Sequence, residues 1–366
     1  MAKQRICFFN SNIAWGGGEK WHYTHALALR EMGYDVIGIT NLESPLAQRW
    51  TARNLPTYPL KISNLSFLNL SKLIRVKNIL KQHHIETIIL NLSADLKIGG
   101  IAAWASGVHQ IVYRRGQALP VRNTALNRFL FRKVLTHIIA NSEEIKQKIL
   151  LNNPDLVPGK DIRVLYNAID LEDCPISMGT PLYQRKSREL ILGNAGRLVE
   201  QKGQRYLMDL AKHLKQTGMP FKLLIAGDGP LASDLKSYAR QRGVQDHVIF
   251  LGFVEDIKSF MDSIDIFVLS SRHEGSANIV LEAMAFQKPV VAFDISSNSE
   301  LIRDHLTGYL VEFENIRQMV ERIMTLYKDK SLRIQMGRNA RVQIEGRHTR
   351  QQSVEGLLRI MDESLQ

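Results

Sequence analysis

Residues 266–285 read Ile266-Phe267-Val268-Leu269-Ser270-Ser271-Arg272-His273-Glu274-Gly275-Ser276-Ala277-Asn278-Ile279-Val280-Leu281-Glu282-Ala283-Met284-Ala285. The first four are apolar and of β type, which reads as a strand buried on both faces. Ser270-Ser271-Arg272-His273 closes that strand, and Gly275-Ser276 turns the chain. An amphipathic helix over 278–286 follows, ended by Lys288-Pro289 because proline cannot continue it. A second wholly apolar run, 290–293, comes next. Strand, helix and strand in this order, with no polar face on either strand, predict a parallel sheet covered by helices.

The same alternation extends outward in both directions. In the second half, strands are expected at 190–193, 222–226, 248–251 and 309–311, with helices near 203–217, 230–242 and 315–328. In the first half, strands are expected at 6–9, 36–40, 87–90, 110–113, 137–140 and 162–166. The first helix, 20–32, places Tyr23, Leu27 and Met32 on one face and Gly33 where a C-terminal cap belongs. Between the halves the period lapses around Pro175, Gly179 and Pro181, so 173–187 reads as a linker. A length of 366 residues also suits two domains, each large enough for its own core. The expected division is 1–172, the linker 173–187, and 188–349. Residues 331–364 are polar and helical, with a small apolar patch at Leu357, Leu358, Ile360 and Met361. Ligands of open α/β sheets bind at the carboxyl ends of the strands, so a cleft between the domains is the expected site.

The chain carries 48 Lys plus Arg against 36 Asp plus Glu, a net charge of +12. The window 49–141 holds 14 basic residues and only Glu86 and Asp95, an excess equal to that of the whole chain. Such a field draws phosphate-rich partners: nucleic acid, anionic lipid headgroups or a phosphorylated substrate. Around 70–81 and 127–133 basic residues sit beside Leu, Ile and Phe. That pattern fits either a membrane-surface helix or a core-facing helix with a solvated basic face. No apolar run approaches the roughly 18 residues needed to span a bilayer, and Met1-Ala2-Lys3-Gln4-Arg5 leads directly into a strand, so a cytosolic protein is expected. Cys7 and Cys174 lack metal-ligand spacing and read as idle thiols.

Several constellations could carry chemistry. Glu274 lies before the 278–286 helix, and Glu282 is expected two turns within it, about 12 Å along at 1.5 Å per residue. Between them lie the free amides of the helix start. A diphosphate there could have a sugar hydroxyl held by Glu274 and a ribose diol held by Glu282. In Gly193-Asn194-Ala195-Gly196-Arg197-Leu198-Val199-Glu200-Gln201-Lys202-Gly203, Arg197 and Lys202 can reach a diphosphate, the arginine as a fork and the lysine as a point charge. They would neutralise charge that grows as a phosphate leaves. Gly227-Asp228-Gly229-Pro230 and Gly252-Phe253-Val254-Glu255 end the next two strands and read first as turns, then as nucleotide contacts. Gly16-Gly17-Gly18-Glu19 opens the first helix, where glycines let a ligand approach backbone amides. The Rossmann spacing Gly-x-Gly-x-x-Gly and the Walker lysine pattern are both absent.

Taken together, Gly16-Gly17-Gly18-Glu19, Gly196-Arg197 with Lys202-Gly203, Gly227-Asp228-Gly229-Pro230, and Glu274 with Glu282 resemble the family 4 retaining glycosyltransferases of the two-domain B-type (GT-B) fold. The resemblance spans nearly the whole chain and is most specific over 190–312. It implies two Rossmann-like domains facing across a cleft, the first for acceptor and the second for donor, with 350–366 as a final helix crossing back to the first. It further implies sugar transfer from a nucleotide donor with retention, with no cofactor and no metal. Position by position, Arg197 and Lys202 would hold the diphosphate, Glu282 the ribose and Glu274 the transferred sugar. Amides near Asn278 and Ile279 would meet the phosphate, Val254 the nucleotide, and Gly17 and Gly18 would close over it. Many members have a histidine after the fourth strand of the first domain; here Val112-Tyr113-Arg114-Arg115-Gly116 stands there. Arg114 and Arg115 are therefore acceptor-side candidates, with Arg115 meeting a phosphate or acid on the acceptor, or the donor itself.

The leading expectation is an enzyme at the inner face of the cytoplasmic membrane. It would transfer a sugar to an envelope glycan, a lipopolysaccharide core or a lipid-linked saccharide, with the basic first domain on anionic lipid. A small soluble, phosphorylated acceptor is the alternative. A basic nucleic-acid-binding or NAD-binding α/β protein would share the pattern, but the dinucleotide fingerprint is missing and the basic segments lack interleaved aromatic platforms.

Overall fold

The computed structural model describes residues 3–157, 162–175, 179–275, 278–295 and 297–362. They form two compact units: residues 1–167 with 350–366, and residues 168–349. Each is a parallel sheet with helices on both faces.

The first unit holds β1 (Arg5–Asn10), β2 (Asp35–Thr40), β3 (Thr57–Pro59), β4 (Thr87–Leu90), β5 (Gln110–Arg115), β6 (His137–Ala140) and β7 (Ile162–Val164), in the order β3-β2-β1-β4-β5-β6-β7. The strands are apolar throughout because both faces are covered. Cys7, Phe9, Ile37, Ile88 and Leu90 enter one core cluster, while their neighbours Ile6, Phe8, Val36 and Ile89 enter another. β3 was not expected; three residues ending in proline at a sheet edge leave no period to read. The helix Arg350–Asp362 belongs to this unit, adding Val354, Leu357, Ile360 and Met361 to the second cluster. Gln110 Nε2 donates to the Met361 carbonyl at 2.6 Å.

The second unit holds β8 (Leu190–Ala195), β9 (Phe221–Ala226), β10 (Val248–Gly252), β11 (Ile266–Leu269), β12 (Val290–Phe293) and β13 (Gly308–Val311), in the order β10-β9-β8-β11-β12-β13. The segment read as a linker is bonded to this unit wherever it is described; residues 176–178 lie outside the described set. Gly179 N donates to Asp262 Oδ2 at 2.7 Å, Leu182 N donates to Ser263 Oγ at 2.7 Å, and Arg185 pairs with Asp265 at 3.0 Å. Periodicity cannot detect such a segment because its bonds run through backbone amides to distant side chains. Cys7 and Cys174 are buried and form no disulfide among the described residues.

The first unit also encloses ionisable groups. His25 stacks on Trp21 with ring centroids 3.8 Å apart, donates to the Trp21 carbonyl at 2.9 Å and accepts from Ser353 Oγ at 3.0 Å. Burial lowers its pKa to about 3. His22 is fully buried and neither ring nitrogen has a partner among the described residues, so burial lowers its pKa as well. Asp95 behaves oppositely. Burial raises it to about 7, although Ser11 N and Leu92 N donate to it at 3.1 and 2.8 Å.

Both histidines stay neutral when folded and gain a proton on unfolding below about pH 6.5, so their stability is present above that pH and lost as it falls. Asp95 keeps a proton that the unfolded chain releases between about pH 4 and 7, so it favours folding as the pH falls. Two groups against one leave the histidines ahead by about one proton. Stability is therefore expected to fall as the pH drops from about 6.5 toward 4. Denaturant titrations across that range measure the slope, and His22→Phe should bring it near zero. An unchanged slope in that variant would remove His22 from the account.

Candidate active site

The strand order of the second unit reverses between β8 and β11, the switch point at whose carboxyl-end crevice open α/β sheets bind ligands. Residues 196–203 follow β8, and residues 270–275 follow β11. Hydrogen bonds to backbone carbonyls fix the two loops to each other. Arg272 N donates to the Gln201 carbonyl at 2.8 Å, Gln201 Nε2 to the His273 carbonyl at 3.0 Å, and Ser270 Oγ to the Lys202 carbonyl at 3.1 Å. Gly203 makes this approach possible. Its φ is +61°, and a Cβ there would lie 2.2 Å from the Ser270 carbonyl oxygen.

This clamp brings Lys202 to Glu274. Nζ lies 2.7 Å from Oε1, with side-chain exposures of 24% and 6%. Ser271 Oγ donates to the same oxygen at 2.6 Å. Among the described residues both bonds fall on Oε1, so Oε2 is the oxygen placed to accept from an incoming hydroxyl. The lysine retains N–H donors and enough exposure to meet an anion from the solvent side. An ammonium held by a carboxylate in a largely buried setting is preorganised: it need not reorient when negative charge develops nearby.

A second set of bonds ties the β9 and β10 loops to the β8 loop. Gly196 N donates to the Ala226 carbonyl at 2.9 Å, Leu198 N to the Asp228 carbonyl at 2.9 Å, and Gly227 N to the Gly252 carbonyl at 2.6 Å. Gly227 has φ +132°, and a Cβ on it would lie 2.0 Å from the Gly196 carbonyl oxygen. Gly227-Asp228-Gly229-Pro230 thus works as scaffold beneath Gly196 and Arg197. Arg197 is exposed and makes no side-chain ion pair among the described residues, so it stands ready for a solvent anion. Val254 is half-buried against the apolar cluster of the β8–β11 side, beside the strongly exposed Phe253.

The helix after Glu274 runs Asn278–Ala285, with Asn278 and Ile279 in its first turn and half-buried. Ser276 and Ala277, part of the expected turn, lie outside the described residues. The depth of Glu282 is corrected: as the fifth helical residue it sits about one turn in, near 6 Å, rather than two. The expected distance of about 12 Å counts all eight positions from Glu274, which itself precedes the helix. Glu282 is half-buried on the side away from Val280, Leu281, Ala283 and Met284.

In the first unit, Gly16 caps the helix Gly17–Glu31 without a side-chain hydrogen bond, so its leading amides are not filled by a cap. Gly18 is held close to Asn91: a Cβ there would lie 2.9 Å from Asn91 Nδ2. Behind the glycines is a buried polar network that the sequence did not disclose. Glu19 Oε1 accepts from Asn10 Nδ2 at 3.2 Å and Asn91 Nδ2 at 3.3 Å. Arg114 donates to Asn91 Oδ1 at 3.4 Å and Asn167 Oδ1 at 2.6 Å, and its guanidinium lies 4.7 Å from the Trp21 ring centre. Burial lowers the Arg114 pKa to about 10, opposed by Glu19, so it remains a cation at neutral pH.

Arg114 and Arg115, expected on the acceptor side, are both buried and hydrogen-bonded within the first unit. Arg114 is 1% exposed and Arg115 6%, and Arg115 donates to Tyr113 Oη at 3.3 Å and to the Leu119 carbonyl. Adjacent residues on a strand buried on both faces both enter the interior, which charge alone does not announce. Ser271 was also missed; its signal was the spacing of three residues before Glu274, which places hydroxyl and carboxylate on one tight loop.

Two family descriptions match the chain: Glycosyltransferase Family 4 over residues 15–173 and Glycosyl transferases group 1 over residues 183–343. Among curated relatives, the alpha-D-kanosaminyltransferase of Streptomyces kanamyceticus is 34% identical over 160 residues, which are 43% of this chain and 41% of that protein. The chain thus spans about two-fifths of that relative's length. The UDP-Gal:alpha-D-GlcNAc-diphosphoundecaprenol alpha-1,3-galactosyltransferase of Escherichia coli is 27% identical over 303 residues, 78% of each chain. Among solved structures, Anabaena HepE in complex with UDP superposes with a TM-score of 0.83 at 19% identity, covering 98% of this chain and all of that one. The two parallel-sheet units, and the two family descriptions that together reach across both, establish that the chain belongs to the family 4 glycosyltransferases of the GT-B fold.

Proposed function

We propose that the protein transfers a sugar, with retention, from a nucleotide-sugar donor to an envelope glycan acceptor at the cytoplasmic face of the membrane. The acceptor is a lipopolysaccharide core or a lipid-linked saccharide. The observation that carries the reading is the Lys202–Glu274 pair, clamped at the crevice of the second unit. Family membership and the lipid-diphosphate acceptor in the name of the Escherichia coli relative support it.

In this mechanism Glu274 holds a hydroxyl of the transferred sugar, and Arg197 and Lys202 hold the diphosphate. Glu282 holds the ribose, the amides near Asn278 and Ile279 meet phosphate oxygens, and Val254 and Gly17-Gly18 border the nucleotide. The bond from the anomeric carbon to the leaving phosphate oxygen breaks as the acceptor hydroxyl attacks the same face. Its proton passes to that leaving phosphate. The charge gathering on the diphosphate is what the two cations stabilise, so they act more strongly in the transition state than in the ground state.

A thermal-shift panel of UDP-, GDP- and ADP-sugars identifies the donor, since a ligand that binds only the native state raises its melting point. Glu282→Ala is expected to raise the donor Kd about tenfold or more, because hydrogen bonds to a charged group contribute about 1.5–3 kcal/mol. Arg197→Ala is expected to act mainly on kcat. Nucleotide-sugar hydrolysis and transfer left unchanged in both variants would refute the assignment.

A further inference from the structure

The basic window of the first unit also carries exposed apolar residues. The 3-10 turn Ser66–Leu68 leads into the helix Leu70–Gln82, whose core face is Val76, Ile79 and Leu80. Leu70 and Ile74, one turn apart, are off that face, at 69% and 47% exposed. Leu65 and Leu68 are 68% and 70% exposed. The helix packs on the short helix Ile101–Trp104, whose Trp104 is 51% exposed and meets Phe129 edge-on at 5.5 Å. One helix therefore presents apolar residues on two sides, and only one side is used by the core.

The turn is held with its leucines outward. Lys72 Nζ donates to the Lys61 carbonyl at 2.6 Å and to Ser66 Oγ at 3.4 Å, while Lys97 Nζ lies 5.6 Å from the Phe67 ring centre and keeps Phe67 against the core. Exposed Lys61, Arg75 and Lys81 flank the leucines. Of the two acids of the window, Asp95 is fully buried and Glu86 lies past the end of the helix, where it accepts from Arg5 N at 2.9 Å. Apolar side chains rimmed by uncompensated cations match a bilayer interface with anionic headgroups, where acyl chains receive the leucines and phosphates meet the cations. A nucleic acid would satisfy the cations and leave the leucines in water.

We infer that Leu65, Leu68, Leu70, Ile74 and Trp104 enter the interface of an anionic bilayer, with Lys61 and Arg75 on its headgroups. This deepens the membrane part of the function proposed above and rests on it. The test is flotation of the full chain with vesicles of phosphatidylcholine, with and without phosphatidylglycerol, in the absence of donor. Binding is expected only with the anionic lipid, weakened by salt, and reduced about tenfold or more by Leu68→Glu with Ile74→Glu. Brominated lipids should quench a fluorescence component that Trp104→Phe removes. Equal binding to both vesicles, full binding by the double variant, or unquenched Trp104 would overturn the inference. So would capture of an oligonucleotide without capture of anionic vesicles. Nucleotide-sugar hydrolysis without vesicles separates the two claims: a double variant that hydrolyses normally but no longer floats supports the docking surface. A wild-type chain that floats without hydrolysing donor supports the surface too, and counts against the donor assignment alone.

Discussion

Lys202→Ala is expected to lower kcat about 10²–10³-fold, the loss typical of removing one preorganised donor from a developing oxyanion. The donor Kd should change far less. The ammonium sits 2.7 Å from a carboxylate with 6% exposure, so its place is fixed before any ligand arrives. Its removal also strands the Glu274 carboxylate with Ser271 as the remaining recorded partner. Losing one member of a fully buried pair costs about 3–5 kcal/mol; with Lys202 24% exposed, about 1–3 kcal/mol is expected here. Lys202→Arg should not restore turnover, because a planar fork does not reproduce a compact point charge. Pre-steady-state transfer separates the alternatives. A Lys202→Ala enzyme with full kcat and raised KM would show that the residue only holds the ground-state donor.

Gly227→Ala is expected to destabilise the second unit by about 3 kcal/mol, combining the strain of a positive φ with overpacking. The added methyl would lie 2.0 Å from the Gly196 carbonyl oxygen, a backbone atom that cannot swing aside as a side chain would. Relief requires separating the β8 and β9 loops, which carries Arg197 away from Lys202. Gly218→Ala isolates the close approach, because Gly218 has φ +73° with nothing within 4 Å of a Cβ. It should cost about 1 kcal/mol, the conformational term alone. Denaturant midpoints give both values. Equal losses at the two positions would mean that loop contact contributes nothing.

The strands of the second unit were legible to within two residues because they are short, mostly apolar and separated by helices of clear period. The strands 266–269 and 290–293 coincide with β11 and β12. β3 and the 179–187 segment were not, since neither buries a periodic face. Of the site, charged residues next to glycines stood out, but Ser271 and the polar cluster behind Gly17 and Gly18 did not. Asn10, Glu19, Asn91, Arg114 and Asn167 are spread over 157 positions and are joined by hydrogen bonds in the fold.

Sequence by itself determined the α/β class, the two parallel sheets and the positions of Glu274, Lys202 and Arg197 at strand ends. Those features follow from local hydrophobic period and turn chemistry, which act over a few residues. Only the tertiary structure decided that Lys202 pairs with Glu274 across 72 positions, that Glu282 sits one turn into its helix, and that Arg114 is interior. It also decided which leucines of the basic window remain outside the core. These depend on burial and on long-range hydrogen bonds, and a residue's burial is set by what the rest of the chain packs against it.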